Sequence, residues 1–357
     1  MNRHARSGRG LPYDAPMLPS AMRLTLLLCL VVLPQSTVVD PVADAARAFL
    51  ASLDDAQRAQ TCFTLADPLR LQWGYLPGQR AGLKLRDMTV ASRGKAHELL
   101  RAALSTQGYL KVTGIMALEV VLKELERAAG GDGATRDPEQ YAFAFFGEPV
   151  AGKPFAWRME GHHIVLTWSN VPGASAFVTP QFFGTHPAAV PSGPSAGLEI
   201  LAREDELALA LMLHFDSEER ALAMLPGAVP ADVLAGPGRA TEKLLGEGVA
   251  WTELDESARH LLALLLAEAA ADYEAPVAAR LLERLRAVPP ELCRFAWCGP
   301  MDRRAVHYWR VVVGRMILEY DNREAGAGHV HRVWRDLDHD HGGDVLRRHI
   351  EEQHGGK

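Results

Sequence analysis

Over residues 41–60, Ala46, Phe49, Leu50 and Leu53 recur at helical spacing and mark one apolar stripe. Two further helices are predicted near Lys95–Leu104 and Ile115–Ala129, the second stopped by Gly130-Gly131. From Tyr141 the pattern changes to aromatic alternation. YAFAFFGEP, bounded by Pro138 and Pro149, predicts a strand. FAWRMEGHHIVLTWS predicts a hairpin whose arms alternate around a turn at Glu160-Gly161. Residues 173–197 read as loop, with prolines at 180, 187, 191 and 194. Helices resume at Glu204–Phe215 and Ser217–Met224, a Pro/Gly stretch covers 226–238, and Glu253–Ala287 is a long helical region broken near Pro276. Four strands follow, at Cys293–Cys298, His307–Val313, Arg315–Tyr320 and His329–Trp334, with a closing helix near Asp344–Gln353.

Helices and hairpins come in blocks without βαβ alternation, which predicts an α+β fold with a mixed, mainly antiparallel sheet and helices packed on it. One internal echo stands out. Trp157-Arg158-Met159 leads through a glycine turn to Ile164-Val165-Leu166, as Trp309-Arg310-Val311 leads through Gly314 to Met316-Ile317-Leu318. Two hairpins of one sheet have this form. No linker divides the chain, so the expected organisation is a leader over 1–40 and one domain over 41–357.

Composition narrows the class. Of 357 residues 48% are apolar and 23% charged, which is globular, and the net charge of −6 favours no nucleic-acid partner. The ten-residue run Leu24–Leu33, apolar apart from Thr25, follows a basic stretch and is too short to span a bilayer, which needs about 20 residues. They read as a secretory signal, with cleavage options at Ser36 and at Ala43-Asp44-Ala45; the expected location is periplasmic or extracellular. Met22 is an alternative start. Of the cysteines expected in the mature chain, Cys62, Cys293 and Cys298, the last two face opposite sides of a strand and need a bend to pair.

Histidine carries the chemical signal. Six of the 14 fall in the last 29 residues, and His329 and His331 share one face of a predicted strand, about 6.6 Å apart at roughly 3.3 Å per residue. That spacing lets two imidazoles converge on one cation. In the hairpin, alternation places His162 among Ile164, Leu166 and Trp168, and leaves His163 on the more open face. Glu160 lies two residues before His162 and suits a general base; Ile317, Glu319 and Asp321 share one face of another strand, which runs into Asn322. The run Arg335–Asp340 lacks the glycine and the glutamate of a calcium loop, and nucleophile-elbow, P-loop, dinucleotide-binding and HExxH patterns are absent.

The segments GLKLRDM (82–88), LEVVLKELE (118–126), YAFAFFGEP (141–149), WRMEGHHIVLTW (157–168), FFGTHPA (182–188), FAWCG (295–299), LEYDN (318–322) and HVHRVWRD (329–336) carry a resemblance. In order and number they resemble a bacterial family catalogued as a domain of unknown function, number 3500, over roughly residues 41–350. The resemblance implies a single unit whose recurrent polar positions are Glu160, His162, His163, Glu319, Asp321, Asn322, His329, His331, Arg335 and Asp336. Two departures are Gly328, where many members carry asparagine, and His341, where they carry phenylalanine. The second marks His339 and His341 as local additions at the periphery.

The expected function is an exported metal-dependent hydrolase of unknown substrate. His162, His163, His329 and His331 would hold a divalent metal, zinc by default, with copper or iron served by similar ligands. Glu160 or Glu319 would take the proton from water, and Arg335 would stabilise developing negative charge unless it is simply paired with Asp336. Asp321, Asn322 and Asp336 would be supporting polar groups. Two alternatives stand beside this reading: a non-catalytic metal- or small-ligand-binding protein, and a purely structural network of histidines and carboxylates.

Overall fold

The computed structural model describes residues 40–343 apart from 151 and 172–175. The apolar run Leu24–Leu33, the closing helix at 344–353, His349 and His354 lie outside the described residues. The chain is α+β, as its patterning predicts.

Its first half runs α1 (Pro41–Ala51), α2 (Asp55–Thr61), β1 (Cys62–Phe63), β2 (Leu83–Lys84), α3 (Val90–Ala103), α4 (Thr106–Ala128), β3 (Ala142–Phe146), β4 (Phe155–Gly161), β5 (Ile164–Asn170) and β6 (Gln181–Thr185). The second half repeats the plan with α5 (Ala202–His214), α6 (Ser217–Ala223), β7 (Val249–Ala250), α7 (Glu256–Ala270) and α8 (Ala275–Arg286). Four more strands complete it: β8 (Cys293–Cys298), β9 (Tyr308–Val313), β10 (Met316–Asp321) and β11 (Val330–Asp336). The helix expected over 41–60 is two helices, because Asp54 caps the second one through a reciprocal bond with Gln57.

All eleven strands form one sheet in the order β1-β3-β4-β5-β6-β11-β10-β9-β8-β7, with β2 added beside β3. Every neighbouring pair is antiparallel except β1 with β3. The sequence echo is therefore two strand meanders that meet at the β6–β11 seam. Details repeat on both sides. Leu83 of β2 pairs with Phe143, and Val249 of β7 pairs with Phe295. Asp54 and Asp216 make the same capping box, while Arg58 and Arg220 donate to the carbonyls of Leu53 and Phe215. Gly82 and Gly248 both take positive φ, where a side chain would collide with the carbonyl of Phe143 or Phe295.

One face of the sheet is covered by helices; Phe49, Leu99, Leu211 and Leu265 pack there with Trp157 and Trp309 in the main core. The other face is covered by loops, through which Tyr75, Val233 and Ala235 close over Val165, Phe182, Ile317 and Val333. Cys62, Cys293 and Cys298 are free thiols. Ala43-Asp44-Ala45 lies inside α1, whose start is capped by Asp40. No helix among the described residues is long and apolar enough to cross a membrane.

The seam is fixed from the helix side by a buried ionic cluster. Arg332 of β11 donates to Glu204 (3.1 Å), Asp272 (2.8 Å) and Gln181, and Lys111 joins the same two carboxylates at 2.8 and 2.9 Å. Burial works against the charge on Lys111, but Asp272 and Glu204 outweigh it and hold the ammonium above its ordinary range. Replacing Arg332 by leucine leaves two core carboxylates with Lys111 as their one shared cation. A denaturant titration of Arg332→Leu should show a loss of about 3–5 kcal/mol; a loss below about 1 kcal/mol, the size of a surface pair, would mean the seam is held by other contacts.

Candidate metal centre

The β4–β5 turn falls two residues later than the sequence suggests. Glu160 and Gly161 are still in the ladder, opposite Val165 and Ile164, so His162 and His163 themselves form the two-residue turn. This reverses their expected exposure. His163 is the buried one, at 3%, and it sits at φ +66°, a left-handed conformation that costs a β-carbon-bearing residue about 1–2 kcal/mol. Its backbone N–H donates to Tyr75 O (2.9 Å) and its carbonyl accepts from Gly184 N (2.8 Å). Gly184 has to be glycine here: a β-carbon would stand 2.7 Å from the His163 ring.

Gly184 is the cross-strand partner of His331, and His331 is the partner of Asp321 on its other side. The His163 ring thus occupies space left empty beside His331. His329, one residue before β11, completes the group: one ring nitrogen from each of His163, His329 and His331 lies within 4.8 Å of the others. His163 Nε2 and His329 Nε2 are 2.7 Å apart.

Carboxylates fix the outer nitrogens. His331 Nδ1 donates to Asp232 (2.8 Å), which also accepts from the Tyr75 hydroxyl, and His329 Nδ1 pairs with Glu324 (2.7 Å). His331 Nε2 is then buried with no hydrogen-bond partner among the described residues. Burial, reinforced by the neighbouring imidazoles, pushes His163 well below the ordinary histidine range and His329 down to about 2. Both are neutral at pH 7, with lone pairs available to a cation. The outer carboxylates orient the rings as metal-binding histidines usually require.

His162 stands beside this trio. Its Nδ1 bonds Glu119 (2.5 Å), its Nε2 faces Arg136 (3.3 Å), and its ring stacks on His163 with centroids 3.7 Å apart. With Glu119 and His163 it forms a second group of converging donors, but both of its nitrogens already have protein partners. Its placement is that of a support for His163.

The predicted acid–base residues are distributed differently from the sequence reading. Glu160 is tied by Arg158 (2.5 Å), Arg80 (3.0 Å) and Gly74 N (2.9 Å), so both oxygens are committed. Glu319 is fully buried and accepts from Tyr308 OH and from Ala235 N (2.6 Å); burial raises its pKa. Asp321 is the freer carboxylate. One oxygen accepts from Arg323 N (3.0 Å), the other is buried without a partner, and burial pushes its pKa up to about 6.

Arg335 pairs with Asp340 and lies over Trp73, not with Asp336, which is held by Arg284 and His339. Asn322 braces His307, accepting from its backbone N–H at 2.7 Å. His341, expected at the periphery, is buried; its backbone N–H donates to Thr179 and its carbonyl accepts from Arg70.

Sequence reasoning missed Asp232, Glu119, Glu324, Tyr75 and His186. Two of them had a signal in the resemblance: His186, stacked on His329 at 4.6 Å, is the histidine of FFGTHPA, and Glu119 is the first glutamate of LEVVLKELE. Asp232 and Glu324 lie on a loop and a turn remote in sequence, and nothing local marks them.

A family model described as a protein of unknown function (DUF3500) matches residues 35–343. No curated protein and no solved structure matches.

The tight fit at Gly184 is testable. Gly184→Ala should cost about 1–3 kcal/mol, the usual range for overpacking, and should move the His163 ring resonances in NMR spectra. An unchanged melting temperature with unmoved His163 signals would show that the ring does not depend on that space.

Proposed function

The chain belongs to the DUF3500 family, and we propose that His163, His329 and His331 bind one divalent cation, zinc by default, at a hydrolytic centre. The observation that carries this reading is the buried, partnerless His331 Nε2 beside the 2.7 Å His163–His329 pair. A structural hydrogen-bond network accounts for the pair but leaves that third nitrogen unsatisfied, an arrangement that costs about 1–3 kcal/mol.

A cation held by three neutral imidazoles supplies Lewis-acid polarisation and makes water a stronger acid. The protein's own contribution is orientation and proton transfer. Asp232 and Glu324 hold two of the rings, His162 supports the third, and Asp321, directly across from His331, offers an oxygen with no other partner to accept a proton. Glu160 and Glu319 are unsuited to that role because their oxygens are already occupied. Arg335 is engaged with Asp340 and has no part in it.

The reading includes export by the leader over 1–40. Cleavage at the Ser36 option keeps the Asp40 cap of α1, whereas cleavage after Ala45 removes the cap together with buried Val42 and Ala43.

Elemental analysis of the purified, untagged chain should find one zinc per molecule. His163→Ala, His329→Ala and His331→Ala should each abolish stoichiometric metal, while His162→Ala keeps it. Asp232→Asn should weaken metal affinity by about 10–100-fold. A metal-free wild-type protein that fails to take up zinc, copper or iron on titration would leave the histidines as a structural network. For catalysis, Asp321→Asn should retain metal and lose about 10²–10⁴-fold in the rate of hydrolysis of an activated ester such as p-nitrophenyl acetate. Equal rates in wild type and variant would remove Asp321 from the reaction.

A further inference from the structure

Counted from their N-caps, Thr89 and Asp255, α3 and α7 carry matching positions in the two halves. His97 matches Ala263, Leu100 matches Leu266 and Arg101 matches Ala267. Counting from Ser105 and Glu274 matches α4 with α8 in the same way, so Tyr109 falls level with Ala278. In the first half these side chains fill the space between the two helices. The Tyr109 hydroxyl is hydrogen-bonded to His97 Nδ1 (3.0 Å), and the Arg101 guanidinium lies 4.5 Å over the Tyr109 ring and donates to its hydroxyl (2.8 Å). In the second half three alanines stand at these positions, and the space is left open.

The opening is a cleft of about 350 Å³ between α7 and α8. Trp251, Leu262, Leu266, Leu282 and Leu285 wall it, and Val313 of β9 lies in its floor. Ala263 is exposed and stands at its mouth. At about 30 Å³ for each water-sized group, the cleft holds about a dozen non-hydrogen atoms. The lining side chains are apolar apart from Arg286 and the Cys293 thiol, and that thiol already faces Pro289 O (3.6 Å). A ligand held here is therefore held by the burial of apolar surface.

Arg286 sets the charge at one edge. Of the other arginines of α8, Arg280 pairs with Glu283 (3.1 Å) and Arg284 with Asp336. Arg286 is exposed at the rim of the cleft and makes no ion pair or side-chain hydrogen bond among the described residues. No carboxylate lines the cleft to offset it.

We propose that the α7–α8 cleft binds a single-chain fatty acid, with its alkyl chain between the helices and its carboxylate at Arg286. An apolar slot with one free cation at its edge is complementary to this class of molecule and to neither a polar solute nor a cationic amphiphile. The chain supplies most of the affinity, since each methylene taken out of water is worth about fourfold in Kd. The exposed ion pair adds only about 2–5-fold and selects the sign of the head group. The volume suits a chain of about ten to twelve carbons. The site lies on the helix face of the sheet and does not rest on the metal-centre reading.

The test is calorimetry on the full chain with hexanoate, octanoate, decanoate and dodecanoate, each below its micelle-forming concentration. Binding should saturate at one fatty acid per chain and tighten about fourfold per methylene, levelling off once the cleft is full. Ala263→Trp plugs the mouth from an exposed position. It should abolish decanoate binding while melting no lower than wild type. Arg286→Gln should weaken decanoate about 2–5-fold and leave decanol unchanged. No saturable binding at any chain length, affinity that ignores chain length, or binding that survives Ala263→Trp overturns the proposal. Decyltrimethylammonium bound as tightly as decanoate, or an Arg286→Gln chain with undiminished decanoate affinity, overturns the anionic head. Binding to phosphatidylglycerol vesicles without binding of free decanoate overturns the proposal in favour of a membrane surface.

Discussion

Arg332 is the residue on which the rest of the arrangement depends. It places a guanidinium in the core, fully buried, where only well-placed carboxylates can compensate the loss of water. Glu204 from α5 and Asp272 from the end of α7 supply that compensation, and Lys111 of α4 stabilises them in turn. Three helices are thereby bound to the central strand pair of the sheet. Because strand side chains alternate, fixing Arg332 on the helix face fixes His331 on the opposite face. The centre is positioned by a charge it never touches.

The two halves of the chain share a plan, but the chemistry is not shared. The β4–β5 turn carries His162-His163, while the β9–β10 turn carries Gly314-Arg315. In the second copy the positive-φ position is Gly314, where such a conformation costs little, and Arg315 turns outward to Glu242 and Asp338. In the first copy the positive-φ position is a buried histidine. Strain of this kind persists where the surroundings over-determine it, and it gathers at functional sites. The H-x-H of β11 comes from the other half, so the trio is assembled only where the halves meet.

Much of the fold was legible because it rests on local periodicity. Cys293–Cys298 was bounded to the residue, and the stripe Ala46, Phe49, Leu50, Leu53 is buried as one face. Alternation also brought out His329 and His331. It failed by two residues at the hairpin, where glycine suggested the turn; Gly161 instead stays in the ladder opposite Ile164, where its missing side chain leaves room for the Tyr141 ring. The acid–base residue was chosen by nearness in sequence, which favoured Glu160. Nearness across a sheet is set by register between strands, and register put Asp321 beside His331. Asp232 had no signal to offer, and Glu119 lay in LEVVLKELE with nothing to show its role, since each becomes a partner only after the loops and α4 have packed.

On the loop face of the seam, His331 Nε2 and Asp321 Oδ2 are buried without partners among the described residues, directly opposite each other on neighbouring strands. Nearby, His163 is strained and lies nitrogen to nitrogen with His329. Each such group costs on the order of 1–3 kcal/mol, against a net stability of about 5–15 kcal/mol for a domain. The same seam carries the buried ionic cluster on its other face. An anchor strong enough to hold Arg332, Glu204 and Asp272 in the core can also hold His331 Nε2 and Asp321 Oδ2 there without partners. The ionic cluster on one face and the unsatisfied imidazoles on the other are two sides of one design.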